Sequence, residues 1–348
     1  MMRLHPLLKA YELFKNFLTS DVSIGSVEDK LSKLYGKTAI LLSSARTGLY
    51  LSLASKGLKR TDEIYVPNYL SQCVLNTINK TAFPSHSQTS NTKAILVLHQ
   101  WGYPQKMDEI IEVAKQKEYL IIEDCAHSMT SKYKRKNIGL LSDAAIFSFP
   151  KLFPTVMGGF LLTNDEEIIN YTLKYRGSRS DLWRSISLNR MMWTVYKNQS
   201  ERDDKRSESL RQSLEKCYSV YPDYPQLTGT LTKMISKAIQ NLTDLQKREE
   251  NLMIYKSRFP ENYIDKIEEN STVVPYFVPF FDSVMGLQKI VGELNKNGIE
   301  SSIMHFDVNR NIFDSNYQNC LALPCHQGLS QNEITYICDL ITCIRRRD

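Results

Sequence analysis

The chain has 348 residues, 24% of them charged and 42% hydrophobic, with a formal net charge of +6 at pH 7. This composition is ordinary for a soluble globular protein, and the length allows one large and one small domain. Basic residues are interspersed with acidic ones, which argues against a nucleic-acid partner, whereas the mild positive excess favours anionic small molecules such as nucleotide diphosphates.

Predicted strands and helices alternate through the first half of the chain. The predicted helices are Pro6–Thr19, Val27–Tyr35, Thr47–Lys56, Ser71–Asn79 and Met107–Lys117. The predicted strands are Thr38–Leu42, Glu63–Val66, Ala94–Leu98, Leu120–Ile122, Ala144–Phe149 and Phe160–Thr163. This alternation predicts an α/β fold with a mostly parallel sheet covered by helices.

The second half of the chain has a different pattern. Residues 183–225 are highly charged, which predicts a long, partly exposed helix followed by a Tyr/Pro-rich loop, or alternatively a binding arm. The remaining predicted elements are a helix at Thr232–Arg258, a strand at Val273–Phe281, a helix at Gly286–Asn297 and a strand at Ile299–Phe306. We therefore predict a large α/β domain at 1–235, with a helical excursion at 183–225, and a small α+β domain at 236–348.

Targeting and metal-binding signals are not evident. No stretch approaches the ~20 apolar residues of a membrane-spanning helix, and residues 1–14 lack the apolar core and cleavage site of a signal peptide. Seven scattered cysteines form no C-x-x-C pair, which indicates free thiols in a reducing compartment. Cys320, Cys325 and His326 lack a fourth ligand at suitable spacing, so we predict no metal. The expectation is a cytoplasmic protein without a membrane partner.

The stretch Ile121–Gly159 carries the strongest chemical signal. Asp124 ends one buried strand, and Lys151 follows a second. This pair suits an enzyme that uses pyridoxal phosphate (PLP): the lysine amine would hold the cofactor aldehyde as a Schiff base, and the carboxylate would keep the pyridine nitrogen protonated. The alternatives are a surface lysine and a helix-capping aspartate.

Further blocks follow one another in a recognisable order. They read SSARTGLYL at Ser43–Leu51, DEIYVP at Asp62–Pro67, KAILVLHQWG at Lys93–Gly102 and LPCHQGLS at Leu323–Ser330. With the Ile121–Gly159 stretch between them, the chain resembles the DegT/DnrJ/EryC1/StrS family of sugar aminotransferases. The resemblance implies the fold-type I architecture of PLP enzymes, with a smaller α+β C-terminal domain.

The resemblance also implies roles for individual residues. Lys151 fills the position of the cofactor-binding lysine, and Asp124 that of the pyridine-nitrogen partner. His127 stands where the family has Gln or His against the 3-oxygen of the cofactor, although a core histidine bonded to the backbone is the alternative. Ser148 corresponds to a phosphate-binding serine.

Two residues at the start of a predicted helix complete the proposed cofactor site. Arg46 and Thr47 lie where free backbone amides and the helix dipole attract a phosphate, and Arg46 adds a full charge and a fork of donors. A solvated helix-start arginine is the alternative.

Several positions depart from the family pattern. The segment between Pro84 and Lys93 is shortened, so the sheet is expected to lack a strand or to have an abbreviated edge. Ser71 occupies the position where the family often has an aromatic residue over the cofactor ring; Tyr69 or Trp101 are alternative stacking residues. His99 is either a pocket residue or a packed strand-end histidine.

The resemblance implies a homodimeric PLP-dependent aminotransferase. Glutamate would be the amino donor, and a nucleotide-linked keto-deoxysugar for polysaccharide or glycan synthesis would be the acceptor. Lys151, where the family's dehydratases have histidine, favours transamination. The alternatives are a PLP-dependent dehydratase, lyase or amino-acid-type enzyme with a non-nucleotide substrate, and a catalytically degenerate regulatory or scaffold protein.

Overall fold

The computed structural model describes residues 2–3, 22–179, 182–200, 212, 222–262 and 268–346. The helix predicted at 6–19 and the charged run 201–206 lie outside these residues. Within them, no helix combines the length and apolar character that crossing a membrane requires.

The helices are α1 (Ile24–Tyr35), α2 (Ala45–Ser55), α3 (Gln72–Ile78), α4 (Met107–Lys117), α5 (Glu166–Ser178), α6 (Leu182–Ser200), α7 (Gly229–Gln240), α8 (Gln246–Arg258), α9 (Val284–Lys296) and α10 (Gln331–Arg345). The strands are β1 (Thr38–Leu42), β2 (Glu63–Tyr65), β3 (Phe83–Ser85), β4 (Thr92–Leu98), β5 (Leu120–Asp124), β6 (Lys132–Tyr133), β7 (Lys136–Asn137), β8 (Ala144–Ser148), β9 (Gly159–Thr163), β10 (Phe277–Phe280), β11 (Ser302–Asp307) and β12 (Tyr317–Pro324).

A seven-stranded sheet in the order β1-β9-β8-β5-β4-β2-β3 forms the centre of the fold. Neighbouring strands from β8 to β3 are parallel, whereas β9 runs antiparallel to both β8 and β1. The continuous apolar sequences of β8 and β9 are buried along their whole length because helices cover both faces. This arrangement confirms the predicted α/β fold class.

The shortened segment after Pro84 affects the edge of this sheet. β3 has only three residues and pairs in parallel with β2 from Glu63↔Phe83 to Tyr65↔Ser85. The sheet therefore keeps its edge strand in abbreviated form and does not lose it.

The C-terminal part contains an antiparallel three-stranded sheet in the order β10-β12-β11. The single helix predicted at Thr232–Arg258 is wrong: a 3₁₀ turn at Leu242–Leu245 separates α7 from α8. Asn241, a poor helix former, precedes this turn and ends α7 with φ −103°. The predicted domain division after residue 235 falls inside α7, and it stays a prediction.

The strand directions bring several loops to one edge of the large sheet. β2, β4, β5 and β8 are parallel, and β1 points the same way because two antiparallel steps through β9 restore its direction. The residues that follow all five strands therefore lie at the carboxyl edge, where open α/β sheets bind ligands.

Candidate active site

The first turn of α2 lies against the start of β9. Ser44 caps the helix by accepting a hydrogen bond from the Thr47 N–H at 3.2 Å. A Cβ on Gly159 would lie 2.5 Å from the Ala45 nitrogen and 2.4 Å from the Phe147 carbonyl oxygen, so only glycine permits this approach. Arg46 is half-buried in the same turn. A helix start with an arginine suits an anion such as phosphate.

The loop after β8 carries Lys151 and is fastened to the turn before α2. Ser148 ends β8, and the Phe149 N–H donates to the Gly158 carbonyl at 3.1 Å. The Gly158 N–H donates in turn to the Ser43 carbonyl at 2.8 Å. These bonds place Ser148 and Lys151 at the same sheet edge as Arg46 and Thr47.

Asp124 lies on the face of the sheet that α2 covers. Side chains alternate along β5, so Asp124 shares a face with Ile122, which packs in one cluster with Leu49 of α2. Asp124 Oδ1 accepts the Ala126 N–H at 2.9 Å, and no helix begins there, so it is not a helix cap. Burial raises the pKa of Asp124, and the charge of Lys151 partly offsets this rise.

Lys151 is close enough to Asp124 and Arg46 for their charges to act on it. Burial lowers the pKa of the Lys151 amine, while Asp124 and the Cys73 thiol raise it and Arg46 lowers it further. The structure therefore brings the predicted lysine, carboxylate and phosphate-binding arginine together. Cys73, hydrogen-bonded to Ser71 at 3.3 Å, was not predicted there.

His127 connects Lys151 to the wall of the site. Its Nδ1 accepts the Trp101 N–H at 3.2 Å, so the proton of the neutral ring is on Nε2. Nε2 lies 2.9 Å from Lys151 Nζ and donates to it, which requires the lysine to be a neutral amine. The alternative of a histidine bonded only to the backbone is therefore excluded. The lowered pKa of Lys151 agrees with this assignment.

The turn at Trp101 packs against the aromatic residues that lie behind His127. Trp101 has φ +53° and packs on Phe277 and Phe306 with ring centroids 5.6 and 5.3 Å away. Its carbonyl accepts the Tyr276 N–H at 2.8 Å, and the Tyr276 ring stacks on His127 at 5.0 Å. Trp101 therefore packs among the aromatic residues behind His127, and Tyr276 is a contact of His127 that the sequence did not reveal.

The other two residues with open assignments lie elsewhere. Tyr69 is 48% exposed and packs on His305 and Tyr317 beside β11 and β12. His99 is fully buried, and its Nε2 lies 2.9 Å from Glu123 Oε2. His99 is therefore a packed strand-end histidine and not a pocket residue.

The donor set at this edge fits PLP. Lys151 offers a neutral amine for the aldehyde, Asp124 a buried carboxylate for the pyridine nitrogen, and the first turn of α2 with Arg46 an anion site for the phosphate. The close approach permitted by Gly159 holds that turn beside the end of β8.

Comparisons with known proteins agree with this fit. A family model for PLP-dependent aminotransferases matches residues 27–346. An uncharacterized protein of Methanocaldococcus jannaschii, MJ1066, is 28% identical in an alignment that covers 81% of this chain and 80% of that protein. GDP-perosamine synthase of Escherichia coli O157:H7 is 31% identical in an alignment that covers 44% of this chain and 46% of the synthase.

Solved structures extend the similarity to the whole fold. A DegT DnrJ EryC1 StrS aminotransferase from Brucella abortus superposes with a TM-score of 0.69 at 15% identity, covering 96% of this chain and 94% of its own. The chain therefore belongs to the family of PLP-dependent aminotransferases and has the fold of the DegT/DnrJ/EryC1/StrS enzymes.

Proposed function

We propose that this aminotransferase moves an amino group from glutamate to the keto group of a nucleotide-linked keto-deoxysugar in the cytoplasm. The observation that carries the proposal is the Lys151 amine, held 2.9 Å from His127 Nε2 within range of the Asp124 charge. The name of the E. coli relative, GDP-perosamine synthase, supports a nucleotide-linked sugar as acceptor.

Each side chain has a distinct role in this proposal. Bound PLP supplies the electron sink that makes the substrate carbon acidic. Lys151 Nζ would bind the cofactor covalently; once the amino group of the donor displaces it from that bond, the released amine is a free base that can move the proton at the substrate carbon. Arg46, Thr47 and Ser148 hold the phosphate, and Asp124 holds the pyridine nitrogen. His127 donates from Nε2 and so keeps the amine in its basic form.

A homodimer is part of the proposal. Leu182 and Trp183 at the start of α6 are 72% and 79% exposed, and Ile186 lies one turn further along the same helix. Such an exposed apolar surface suits burial against a second copy of the chain. Sedimentation of wild type and of a Trp183→Glu variant tests this: a concentration-independent monomer in wild type would exclude the dimer.

The experiment that tests the reaction is an absorbance spectrum of the purified protein with PLP, before and after addition of glutamate. We expect a band from the covalently bound cofactor that bleaches with glutamate, and no such band in Lys151→Ala. A band that glutamate leaves unchanged would reject glutamate as the donor. A screen of nucleotide-linked keto sugars, read by mass change, then separates amination from dehydration.

A further inference from the structure

Arg248 on α8 is a fully buried cation. Among the residues that the structure describes, no carboxylate lies within salt-bridge distance of it. Its guanidinium instead donates to four oxygens: Gln327 Oε1 at 2.8 Å and the carbonyls of Pro275, Tyr276 and Leu152 at 3.1, 3.2 and 3.5 Å. Burying a guanidinium costs free energy, so a side chain that only filled space would be apolar.

The oxygens that Arg248 holds belong to both sides of the active site. Leu152 directly follows Lys151, and Tyr276 stacks on His127. Gln327 adds a second bond to the Lys151 loop, because its Nε2 donates to the Leu152 carbonyl at 2.7 Å. One guanidinium therefore holds the chain segments behind both partners of the Lys151–His127 hydrogen bond.

We propose that Arg248, together with Gln327, is a positioning residue that sets the separation of Lys151 and His127 and keeps the Lys151 amine inside the site. The proposal rests on Lys151 being the reactive lysine of the proposed function. Arg248 itself contacts neither Lys151 nor His127 in the bonds described, and it acts through the Leu152 and Tyr276 peptide groups.

The matched variants are Arg248→Lys, which keeps the charge but loses the fork of donors, and Gln327→Leu, which removes the second bond to Leu152. Arg258→Lys is the control, because Arg258 lies on the same helix and forms an exposed ion pair with Asp339. Urea unfolding of each protein measures global stability independently of the site.

The principal readout is the apoprotein. Reductive methylation of Lys151, followed by peptide mass spectrometry across a pH series, gives the pH midpoint of amine reactivity. We expect this midpoint to rise by about one unit in Arg248→Lys and Gln327→Leu, because a loosened loop admits water to the amine. The Arg258→Lys midpoint should equal that of wild type.

The loaded enzyme gives a second readout. A misplaced proton carrier lowers kcat by about 10–100-fold and changes the KM for the amino donor little. The proposal is overturned if Gln327→Leu and Arg248→Lys keep the wild-type midpoint and kcat, or if they lose stability while Lys151 is unchanged. Should Arg248→Lys not fold, Gln327→Leu decides the outcome alone.

The same series separates this proposal from the proposed function. If wild type forms no covalent bond with PLP, the proposed role of Lys151 fails, while the apoprotein midpoint still reports whether Arg248 and Gln327 control the amine. If the bond forms and the midpoint does not move, only the positioning role fails.

Discussion

His99 and His127 follow neighbouring parallel strands and have nearly the same hydrogen-bond geometry. Each Nδ1 accepts a backbone N–H, from Gln105 at 3.1 Å and from Trp101 at 3.2 Å respectively. Each Nε2 then faces one side chain at 2.9 Å: Glu123 for His99 and Lys151 for His127.

The surroundings of the two pairs differ. Glu123 also accepts hydrogen bonds from the Gly139 and Leu141 N–H groups and from the Ser142 hydroxyl, and the His99–Glu123 pair is fully buried. His127 and Lys151 are only half-buried. A satisfied, closed network stabilises the fold, whereas a partly open pair with a shifted pKa can take part in chemistry. Local geometry alone does not separate the two roles.

Among variants that distinguish the His127–Lys151 pair from the His99–Glu123 pair, Lys151→Ala is expected to have the largest effect on kcat. Loss of the proposed proton carrier should lower kcat by about 10²–10⁴-fold, while the free energy of unfolding is kept or rises because a desolvated amine is removed. Single-turnover transamination and urea unfolding measure the two quantities. The exposed Lys136→Ala is the control, and activity of Lys151→Ala equal to that of this control would contradict the role of Lys151.

Glu123→Ala should instead lower the free energy of unfolding. It removes the acceptor of His99 Nε2 and of the Gly139 and Leu141 N–H groups, whereas the Ser142 hydroxyl keeps the Ala144 carbonyl, so we expect a loss of about 3–5 kcal/mol in the free energy of unfolding. The exposed Glu112→Ala on α4 should stay within about 0.5 kcal/mol of wild type. Equal urea midpoints for the two variants would show that the closed network does not stabilise the fold.

The two adjacent carboxyls also predict opposite pH dependences. Burial alone would raise the pKa of Glu123, but hydrogen bonds from His99, Gly139 and Ser142 hold it below its ordinary value. Glu123 therefore stabilises the fold above its unfolded pKa, and this contribution is lost as pH falls through its folded pKa. Glu123→Gln should flatten the acid limb of stability against pH.

Asp124 has the reverse sign. Burial raises its pKa, with Lys151 opposing, so its ionised form costs stability once pH rises above the unfolded pKa. Asp124→Asn should therefore raise apoprotein stability at neutral pH while weakening retention of PLP. Urea midpoints across a pH series check both signs, and a loss of apoprotein stability in Asp124→Asn would contradict this assignment.

His127→Phe tests the difference between the two pairs at the histidine. Neutral Lys151 loses the hydrogen bond from Nε2, so its pKa should rise and kcat at neutral pH should fall by about tenfold. The acidic limb of kcat against pH moves to higher pH for the same reason. His99→Phe should instead lower stability without moving that limb; an identical shift in both variants would remove the distinction between the pairs.

The sequence indicated the site residues of the Ile121–Gly159 stretch but not those that the C-terminal segments contribute. Asp124, His127, Ser148 and Lys151 lie within one short stretch whose apolar runs end at the sheet edge; the local pattern indicated Asp124 and Lys151, and the family resemblance added His127 and Ser148. Tyr276, Arg248 and Gln327 reach the site only through tertiary bonds between distant segments. No local periodicity marks such contacts.

The difference between local and long-range signals also bears on two C-terminal elements that were missed. β12 and α10 were not predicted, although Ser330 and Glu333 form a capping box at the start of α10, which is a local signal. The polar first half of β12 gives no strand pattern by itself, and its pairing with β10 and β11 determines its conformation.

The smallest expected effect is that of Tyr276→Leu, which tests the side of the site that the sequence did not reveal. The substitution removes the ring stack on His127 but keeps the backbone bonds to Trp101 and Arg248, so we expect a cost of about 0.5–1.5 kcal/mol. This cost appears as a fall of at most about tenfold in kcat/KM, together with a small shift of the acidic limb of the pH profile to higher pH. Tyr336→Leu on the exposed side of α10 is the control. A larger effect than in His127→Phe would mean that Tyr276 acts on the reaction directly and not through the histidine.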